Sequence, residues 1–217
     1  RPATTSEQAD GAPGADGETA HLDEIRQRLL EAALERAPFE GWNPTMLARA
    51  EVDAGLVPGT VELVCPDGAA DLIDYWGLQH DRDTHAALTA MNLAEMRIRD
   101  RVRVGLKVRI AVIGRDHKEA VRRAALRLAL PDAARRGTHI LWRAVDTMWR
   151  AIGDESTDAN FYSKRLILAS VFASAFATWL AADGEEEVQE AKLDAHLDEK
   201  IELYILRLVG ATRNPDS

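Results

Sequence analysis

Few side chains in this sequence have the types and spacing that metal chemistry requires. Glu18 and His21 form a Glu-x-x-His pair, the spacing of carboxylate and histidine ligands in helical di-metal sites. Such a site needs a second pair and two further carboxylates, and the sequence has no second pair. His80 and His85 lie five residues apart, so they do not share a helix face, and we expect both to face solvent. The sequence therefore predicts no metal site.

The motifs of common catalytic mechanisms are also missing. Cys65 is the single cysteine, so it cannot form an internal disulfide, which fits a reducing compartment. The sequence has no glycine-rich phosphate loop and no nucleophile signature around Cys65 or any serine. We therefore expect a binding protein rather than an enzyme, with no catalytic residue and no cofactor of its own.

The composition indicates one domain with a substantial core. The chain has 217 residues, of which 46% are hydrophobic. Its net charge of −9 argues against a general affinity for nucleic acid or anionic lipid. The charge is uneven: residues 97–136 hold 13 Lys and Arg against 4 acids, and residues 183–202 hold 9 acids against 2 Lys. The basic segment is either a solvated face offset by the acidic segment or a contact surface for a membrane or an acidic partner.

The N-terminal third predicts a tail followed by three helices. Residues 1–20 are rich in Ala, Gly, Pro and acids, which is typical of a disordered tail. Pro38 is expected to end the first helix, and Asn43 and Pro44 are the N-cap and first residue of the second. The three predicted helices cover residues 23–36, 45–53 and 58–64. Residues 21–66 thus have a helix-turn-helix pattern.

The charge of this unit argues against DNA binding. The stretch from Ala50 to Asp81 has no Lys or Arg. It has seven acids: Glu51, Asp53, Glu62, Asp67, Asp71, Asp74 and Asp81. Because DNA binding requires basic groups that neutralise phosphates, we expect no nucleic-acid partner.

The remaining residues, 67–209, predict a helical bundle followed by a short tail at 210–217. The predicted helices cover about 68–91, 94–113, 117–130, 132–152, 161–182 and 185–209. The segment Leu166–Ala182 has no charge, so it is either a buried central helix or a membrane span. Its 17 residues, six of them Ala, favour the buried central helix. Its small residues either let helices pack closely or leave room for a ligand.

Residues 144–170 carry a specific motif, AVDTMWRAIGDESTDANFYSKRLILAS. It resembles the signature of the lipid-binding accessory family of ubiquinone (coenzyme Q) biosynthesis, the ninth protein of the COQ series. The segment ALPDAA (Ala129–Ala134) and the front end ALERAPFEGW fit the same family, and the resemblance covers about residues 22–183. It implies an all-α, TetR-like, homodimeric bundle that has lost the DNA-reading role.

The resemblance also implies a function. Members bind isoprenoid quinone precursors, or phospholipid, and present the substrate to a di-iron hydroxylase that modifies demethoxyubiquinone. The implied partner-binding patch is Met148, Trp149, Asp158, Phe161, Tyr162 and Arg165, with its aromatic residues exposed. We expect the lipid to lie against the small residues of the predicted helix 161–182, lined by Trp142, Leu168, Phe172 and Trp179. The implied location is the matrix face of the inner mitochondrial membrane, or an alphaproteobacterial cytoplasm.

Two departures from the family pattern keep alternatives open. The family commonly has Trp or Tyr where this chain has Phe161. Eukaryotic members can carry a further membrane-inserting helix, whereas this chain ends soon after Leu208 and its last predicted helix is acidic. One alternative is therefore a non-catalytic structural subunit of a larger mitochondrial membrane complex. A ligand-responsive DNA-binding regulator is a less favoured one.

Overall fold

The computed structural model describes residues 15–114, 118–153, 159–182 and 191–203. These residues form helices and connecting turns, with no strand among them, which confirms the predicted all-α class. The helices are α1 (Ala15–Glu40), α2 (Pro44–Asp53), α3 (Thr60–Val64), α4 (Ala69–Thr89), α5 (Ile98–Ile113), α6 (Lys118–Leu128), α7 (Ala134–Ala151) and α8 (Ala159–Ala181). Residues 191–203 form a further helical segment, α9.

Helix α1 is longer than predicted at both ends. It begins at Ala15, so the prediction of a tail through residue 20 is wrong for residues 15–20, and residues 1–14 lie outside the described residues. Pro38 lies inside the last turn, where its missing N–H removes only one helical hydrogen bond. Gly41 ends the helix instead, because its φ of +75° is a left-handed conformation that favours glycine.

The start of α2 follows the sequence closely. Asn43 has an extended backbone, and its side chain accepts a hydrogen bond from the Met46 N–H at 3.0 Å. Pro44 occupies the first helical position, as predicted. An N-cap of this kind satisfies one of the amide groups that have no partner within the helix.

Helix α4, rather than α8, lies at the centre of the bundle. It packs against α1, α5, α6 and α7. Helix α8 packs against α5 and α7 and turns one face outward, so the prediction of a buried central helix is wrong. Its inward residues are Leu168, Val171, Phe172, Ala175 and Trp179, and its outward residues include Tyr162, Leu166, Ser170, Ala173 and Ala177.

The segment Phe161–Ala181 is long and apolar enough to cross a membrane, by length and composition alone. Among the described helices it is the single one that meets this test. Its inward face is part of the protein core. The core helix of a soluble protein can meet the same test of length and composition.

The acidic helix α9 covers part of the basic segment. Leu193, Leu197 and Ile201 are buried in the core. Lys107 Nζ of α5 lies 3.0 Å from Asp194 Oδ1, and Arg103 forms an ion pair with Asp198. These pairs agree with the interpretation in which the acidic C-terminal segment offsets the basic face.

Candidate functional site

A cavity of about 570 Å³ lies within the bundle. Helices α4, α5, α6, α7 and α8 all contribute to its wall. The wall is mainly apolar and includes Ile73, Trp76, Ile113, Val121, Leu141 and Phe172. A volume of this size and an apolar lining are typical of pockets that hold a small apolar ligand.

Two glycines set the helix spacing beside the cavity. A Cβ atom on Gly77 would lie 3.1 Å from Arg143 Nη2 and 3.3 Å from Ile140 Cγ2, so α4 and α7 approach closely here. A Cβ atom on Gly137 would lie 3.1 Å from the carbonyl oxygen of Leu128, which fixes α7 against the end of α6. Both glycines line the cavity. Their missing side chains therefore set the shape of its wall.

The cavity opens to solvent at one side. Ala129, Ala134 and Thr138, around the α6–α7 turn, line the cavity and are exposed, as is Ala173 of α8. Leu126 and Leu130 lie in the same turn region and expose 64% and 50% of their surface. The mouth thus lies between the α6–α7 turn and α8, with apolar side chains close to it in sequence.

A buried polar cluster forms another part of the wall. Arg109 of α5 is only 3% exposed, and its Nη1 lies 2.8 Å from Asp81 Oδ1 of α4. The same Nη1 donates a hydrogen bond to Thr84 Oγ1 at 3.2 Å. Burial lowers the pKa of Arg109, and the carboxylate of Asp81 opposes that shift. The cavity therefore combines an apolar wall with one buried, charge-paired arginine.

His80 belongs to this polar end of the cavity. It lines the cavity and is only 9% exposed, so the prediction that it faces solvent is wrong, whereas His85 is exposed as predicted. Its ring lies 5.0 Å from the Trp76 ring, centroid to centroid. His80 is buried because α4 lies at the centre of the bundle, where more than one of its faces is covered. Among the described residues, no group of three or more His, Cys, Asp or Glu side chains could hold a metal ion.

Acids of the N-terminal half pair with arginines of α7. Arg143 bridges Asp81 and Asp74, with Nε–Oδ2 and Nη1–Oδ1 distances of 2.6 Å each. Two turns earlier on α7, Arg136 contacts Asp71 at 2.7 Å and also contacts Asp67 and Asp74. Four of the seven acids counted against DNA binding therefore neutralise arginines within the bundle. Their charge belongs to the α4–α7 interface rather than to the helix-turn-helix face.

The remaining three acids of the stretch from Ala50 to Asp81 lie in the N-terminal helices α2 and α3. Asp53 pairs with Arg36, and Glu51 is buried, where Oε1 accepts a hydrogen bond from the Val61 N–H at 2.9 Å. Glu62 lies exposed on α3, a five-residue helix that carries no Lys or Arg. The absence of basic residues, rather than the surplus of acids, is what leaves α3 unsuited to phosphate contacts.

The predicted partner-binding patch is only partly at the surface. Tyr162 is 64% exposed and Phe161 is half-buried, but Met148, Trp149 and Arg165 are each only 1% exposed. The expectation that Trp149 is an exposed aromatic is therefore wrong. Asp158 lies outside the residues whose side chains are described.

One buried member of the patch, Arg165, contacts Phe161 directly. Arg165 places its guanidinium 3.4 Å from the centroid of the Phe161 ring and donates a hydrogen bond to the Phe161 carbonyl oxygen at 3.2 Å. Tyr162 stacks on Trp142 of α7 with the ring centroids 6.2 Å apart. The outer surface here is thus an aromatic cluster, defined by Trp142, Phe161 and Tyr162, which we call the aromatic rim.

One of the four predicted lipid-lining residues lines the cavity. Phe172 is part of its wall, whereas Trp142, Leu168 and Trp179 are not. Trp142 belongs to the aromatic rim, Leu168 is buried in the core, and Trp179 lies beneath Lys118, 5.1 Å from its Nζ. The lipid-binding role of all four stays a prediction.

The sequence did not lead us to predict that α4, α5 and α6 contribute to the cavity wall. One signal was available in α5, where Leu106, Ile110 and Ile113 form an apolar stripe. Arg109 lies in the same stripe, one residue before Ile110. A charge on an apolar helix face indicates a buried ion pair or a ligand-facing group.

The fold and the site define an all-α protein with an apolar cavity inside its helical bundle. Residues 134–204 match the model of the COQ9 family. The chain is 30% identical over 160 residues to the mitochondrial ubiquinone biosynthesis protein COQ9 of Rattus norvegicus, covering 69% of this chain and 50% of that protein. The identity to the Homo sapiens COQ9 protein is 29%, over 69% of this chain and 49% of that protein.

A more distant relative matches over the same share of the chain. It is the probable mitochondrial ubiquinone biosynthesis protein coq9 of Dictyostelium discoideum, with 26% identity over 70% of this chain and 51% of that protein. The chain spans about half the length of the curated relatives it matches. The resemblance inferred from residues 144–170 is confirmed by these matches.

Proposed function

We propose that this protein is a lipid-binding accessory protein of ubiquinone biosynthesis. The observation that carries the proposal is the apolar cavity of about 570 Å³, bounded by five helices. The names of the relatives connect this fold to ubiquinone biosynthesis. The ligand is an isoprenoid quinone precursor, and the protein itself catalyses no step.

The aromatic rim is the proposed contact for the partner enzyme, a di-iron hydroxylase. Aromatic side chains are enriched among residues that dominate binding energy at protein interfaces. Tyr162 presents most of its ring to solvent, and Leu166, one turn later on α8, is 61% exposed. Arg165 holds Phe161 of the rim in place from beneath. Replacing Tyr162 by Ser should weaken capture of the hydroxylase, whereas replacing the equally surface-located Leu63 by Ser should not.

The outward face of α8 towards its C-terminus is the proposed contact for a second copy. Ala177 and Ala181 are exposed there, beyond Ala173 at the cavity mouth, and present a surface without charge. Small residues allow two helices to approach closely, and a two-fold axis places the same helix of each copy in contact. The homodimer and the hydroxylase would thus use different ends of one helix.

The names of the relatives also suggest the compartment. Each of those cited is a mitochondrial protein by its printed name. We propose that this protein works at the matrix face of the inner mitochondrial membrane. The mouth of the cavity, beside Leu126 and Leu130, would face the bilayer from which the lipid enters.

Native mass spectrometry with lipid extraction tests the proposed function. The protein purified from its source should carry an isoprenoid lipid. Replacing Ala124, a buried residue of the cavity wall, by Phe should reduce the bound lipid because it fills the space. Replacing Ala111 by Phe is the matched control, since Ala111 is exposed on α5 and does not line the cavity. Equal lipid content in both variants, or a protein found only in a large complex without quinone, would overturn the proposal.

A further inference from the structure

A second, smaller cavity lies between the N-terminal helices α2 and α3, and lipid binding does not involve it. This α2–α3 groove has a volume of about 160 Å³. Its floor is apolar and buried, and three exposed residues form its rim. The floor includes Leu47, Val61 and Cys65, and the rim includes Pro44, Ala48 and Pro66. The groove is smaller than the roughly 300–1,000 Å³ of small-molecule pockets, but it has room for one long side chain.

Two carboxylates line the groove without a cation. Glu51 is 8% exposed, and beyond the Val61 N–H bound by Oε1 its side chain has no partner among the described residues. Glu62 is exposed and forms no ion pair within the same residues. By contrast, the neighbouring acids Asp53 and Asp67 both pair with arginines. Burying a carboxylate with one hydrogen bond and no cation is unfavourable, so the groove is suited to a cation from a partner.

The basic residues near the groove are bound elsewhere. The stretch from Ala50 to Asp81 has no Lys or Arg. Arg26 and Arg28 of α1 reach the back of this unit, but they donate to the backbone carbonyl oxygens of Val64 and Ala54, at 3.0 Å and 2.6 Å. A Lys or Arg side chain from another molecule fits the lining, because its aliphatic part can cover the apolar floor while its charged end meets the carboxylates.

The surroundings of the groove indicate a protein partner. Val52, Val57 and Leu63 each expose at least 70% of their surface. Val52 follows Glu51 in sequence and Leu63 follows Glu62, and the Val57 carbonyl oxygen accepts a hydrogen bond from Thr60 Oγ1 at the start of α3. Exposed apolar groups gathered beside a groove are typical of an interaction surface. Nucleic acid and anionic bilayers do not fit, because both repel the carboxylates.

We propose that the α2–α3 groove is a docking site for a protein segment that presents a Lys or Arg side chain next to bulky apolar residues. Glu51 and Glu62 bind the cation, and Val52, Val57 and Leu63 contact the apolar residues. The inference does not depend on lipid binding. It gives helices α2 and α3 a partner that is distinct from the hydroxylase proposed at the aromatic rim.

Selection of random dodecapeptides displayed on phage against the full chain tests the inference. Enriched peptides should carry Lys or Arg beside bulky apolar residues. Fluorescein-labelled copies are then titrated by fluorescence polarisation. Glu51→Gln keeps an acceptor for the Val61 N–H but removes the charge, so it should weaken binding about 10-fold. Glu62→Gln should weaken binding about 2- to 5-fold, because this residue is exposed, and Leu63→Ser about 10-fold.

The matched control is Glu95→Gln, the same change at an exposed residue that does not line the groove. It should leave peptide affinity unchanged, as should Tyr162→Ser at the aromatic rim. Enriched peptides without Lys or Arg, no enrichment at all, or equal affinities of wild type and Glu51→Gln would overturn the inference. If Glu51→Gln does not fold, Glu62→Gln and Leu63→Ser decide.

Two further measurements distinguish other occupants of the groove. A change in the oligomeric state of the protein alone in Leu63→Ser, measured by light scattering, would assign the groove to a second copy. Flotation with phosphatidylcholine vesicles that Leu63→Ser abolishes would assign it to a neutral bilayer. Either result would overturn the inference, and neither bears on lipid in the larger cavity.

Discussion

Arg165 Nε of α8 lies 2.7 Å from Asp146 Oδ1 of α7, and this ion pair holds the two helices together beneath the aromatic rim. The side chain of Arg165 is 2% exposed and that of Asp146 is 22% exposed. A buried guanidinium depends on such a carboxylate, because removing one partner of a buried pair leaves a charge in a low-dielectric site. The pair therefore determines how firmly the rim is held.

Replacing Asp146 by Asn should lower the free energy of unfolding by about 3 kcal/mol, the range for breaking a buried ion pair. Chemical denaturation measures the loss. Arg150→Ala is the control, since Arg150 also contacts Asp146, at 2.8 Å, but is 67% exposed. Exposed pairs contribute at most about 1 kcal/mol. Equal losses in the two variants would contradict the role assigned to Arg165.

Gly137→Ala should destabilise the protein by about 1–3 kcal/mol, the usual cost of overpacking. The new Cβ atom would lie 3.1 Å from the Leu128 carbonyl oxygen and 3.2 Å from its Cβ, and backbone atoms cannot move aside easily. In Gly17→Ala the Cβ would meet nothing within 4 Å, so the change should be neutral or stabilising by up to about 1 kcal/mol. Thermal unfolding compares the two variants. A neutral Gly137→Ala would mean that α6 and α7 can separate at the cavity.

Cys65 should be almost unreactive in the folded protein. Burial raises the pKa of its thiol from 9.0 to about 11. Because the thiolate is the reactive form, labelling by a disulfide reagent at pH 8 should be at least about 100-fold slower in native than in denatured protein. The sign for stability follows from the raised pKa of an acid. The neutral thiol favours the folded state fully below about pH 9, and this contribution is lost as the pH rises towards 11. Rapid labelling of native protein would contradict the buried position.

A charge on the outward face of α8 should prevent the proposed homodimer. Ala177→Arg places a cation on the exposed small-residue face, where a two-fold contact would bring it close to its copy. Light scattering after size-exclusion chromatography should show a dimer for wild type and a monomer for the variant. Ala86→Arg, on the exposed side of α4, should remain dimeric. A wild-type monomer at high micromolar concentration would remove the homodimer from the proposal.

Much of the helical order could be predicted from sequence because its signals are local. Asn43 and Pro44 determine the start of α2 through the chemistry of capping. The apolar repeat through Ala144, Val145 and Met148 places the inward face of α7, and all three are buried. Pro38 misled the prediction, because a proline in the last turn of a helix costs too little to end it.

The candidate site could be predicted only in part, because helix packing decides which faces meet. The apolar composition of α8 is consistent with a central helix, yet that position belongs to α4, whose polar residues are matched by arginines from α5 and α7. His80 and Asp81 therefore face inward although their sequence context, HDRDTH, is typical of a surface. Trp149 and Arg165 belong to the family motif, but the motif does not show that both are buried.

The open mouth beside Ala129 and Thr138 has a consequence for chain-length tolerance. A closed cavity would limit the length of its ligand, whereas a cavity open at one side would let the proposed polyisoprenoid ligand extend outward where it is longer than the cavity is deep. Affinity should rise with each added isoprene unit until the cavity is full and then level off. Homologous quinones that differ only in the number of distal units would then compete on nearly equal terms, and the membrane's own pool would decide which one is bound.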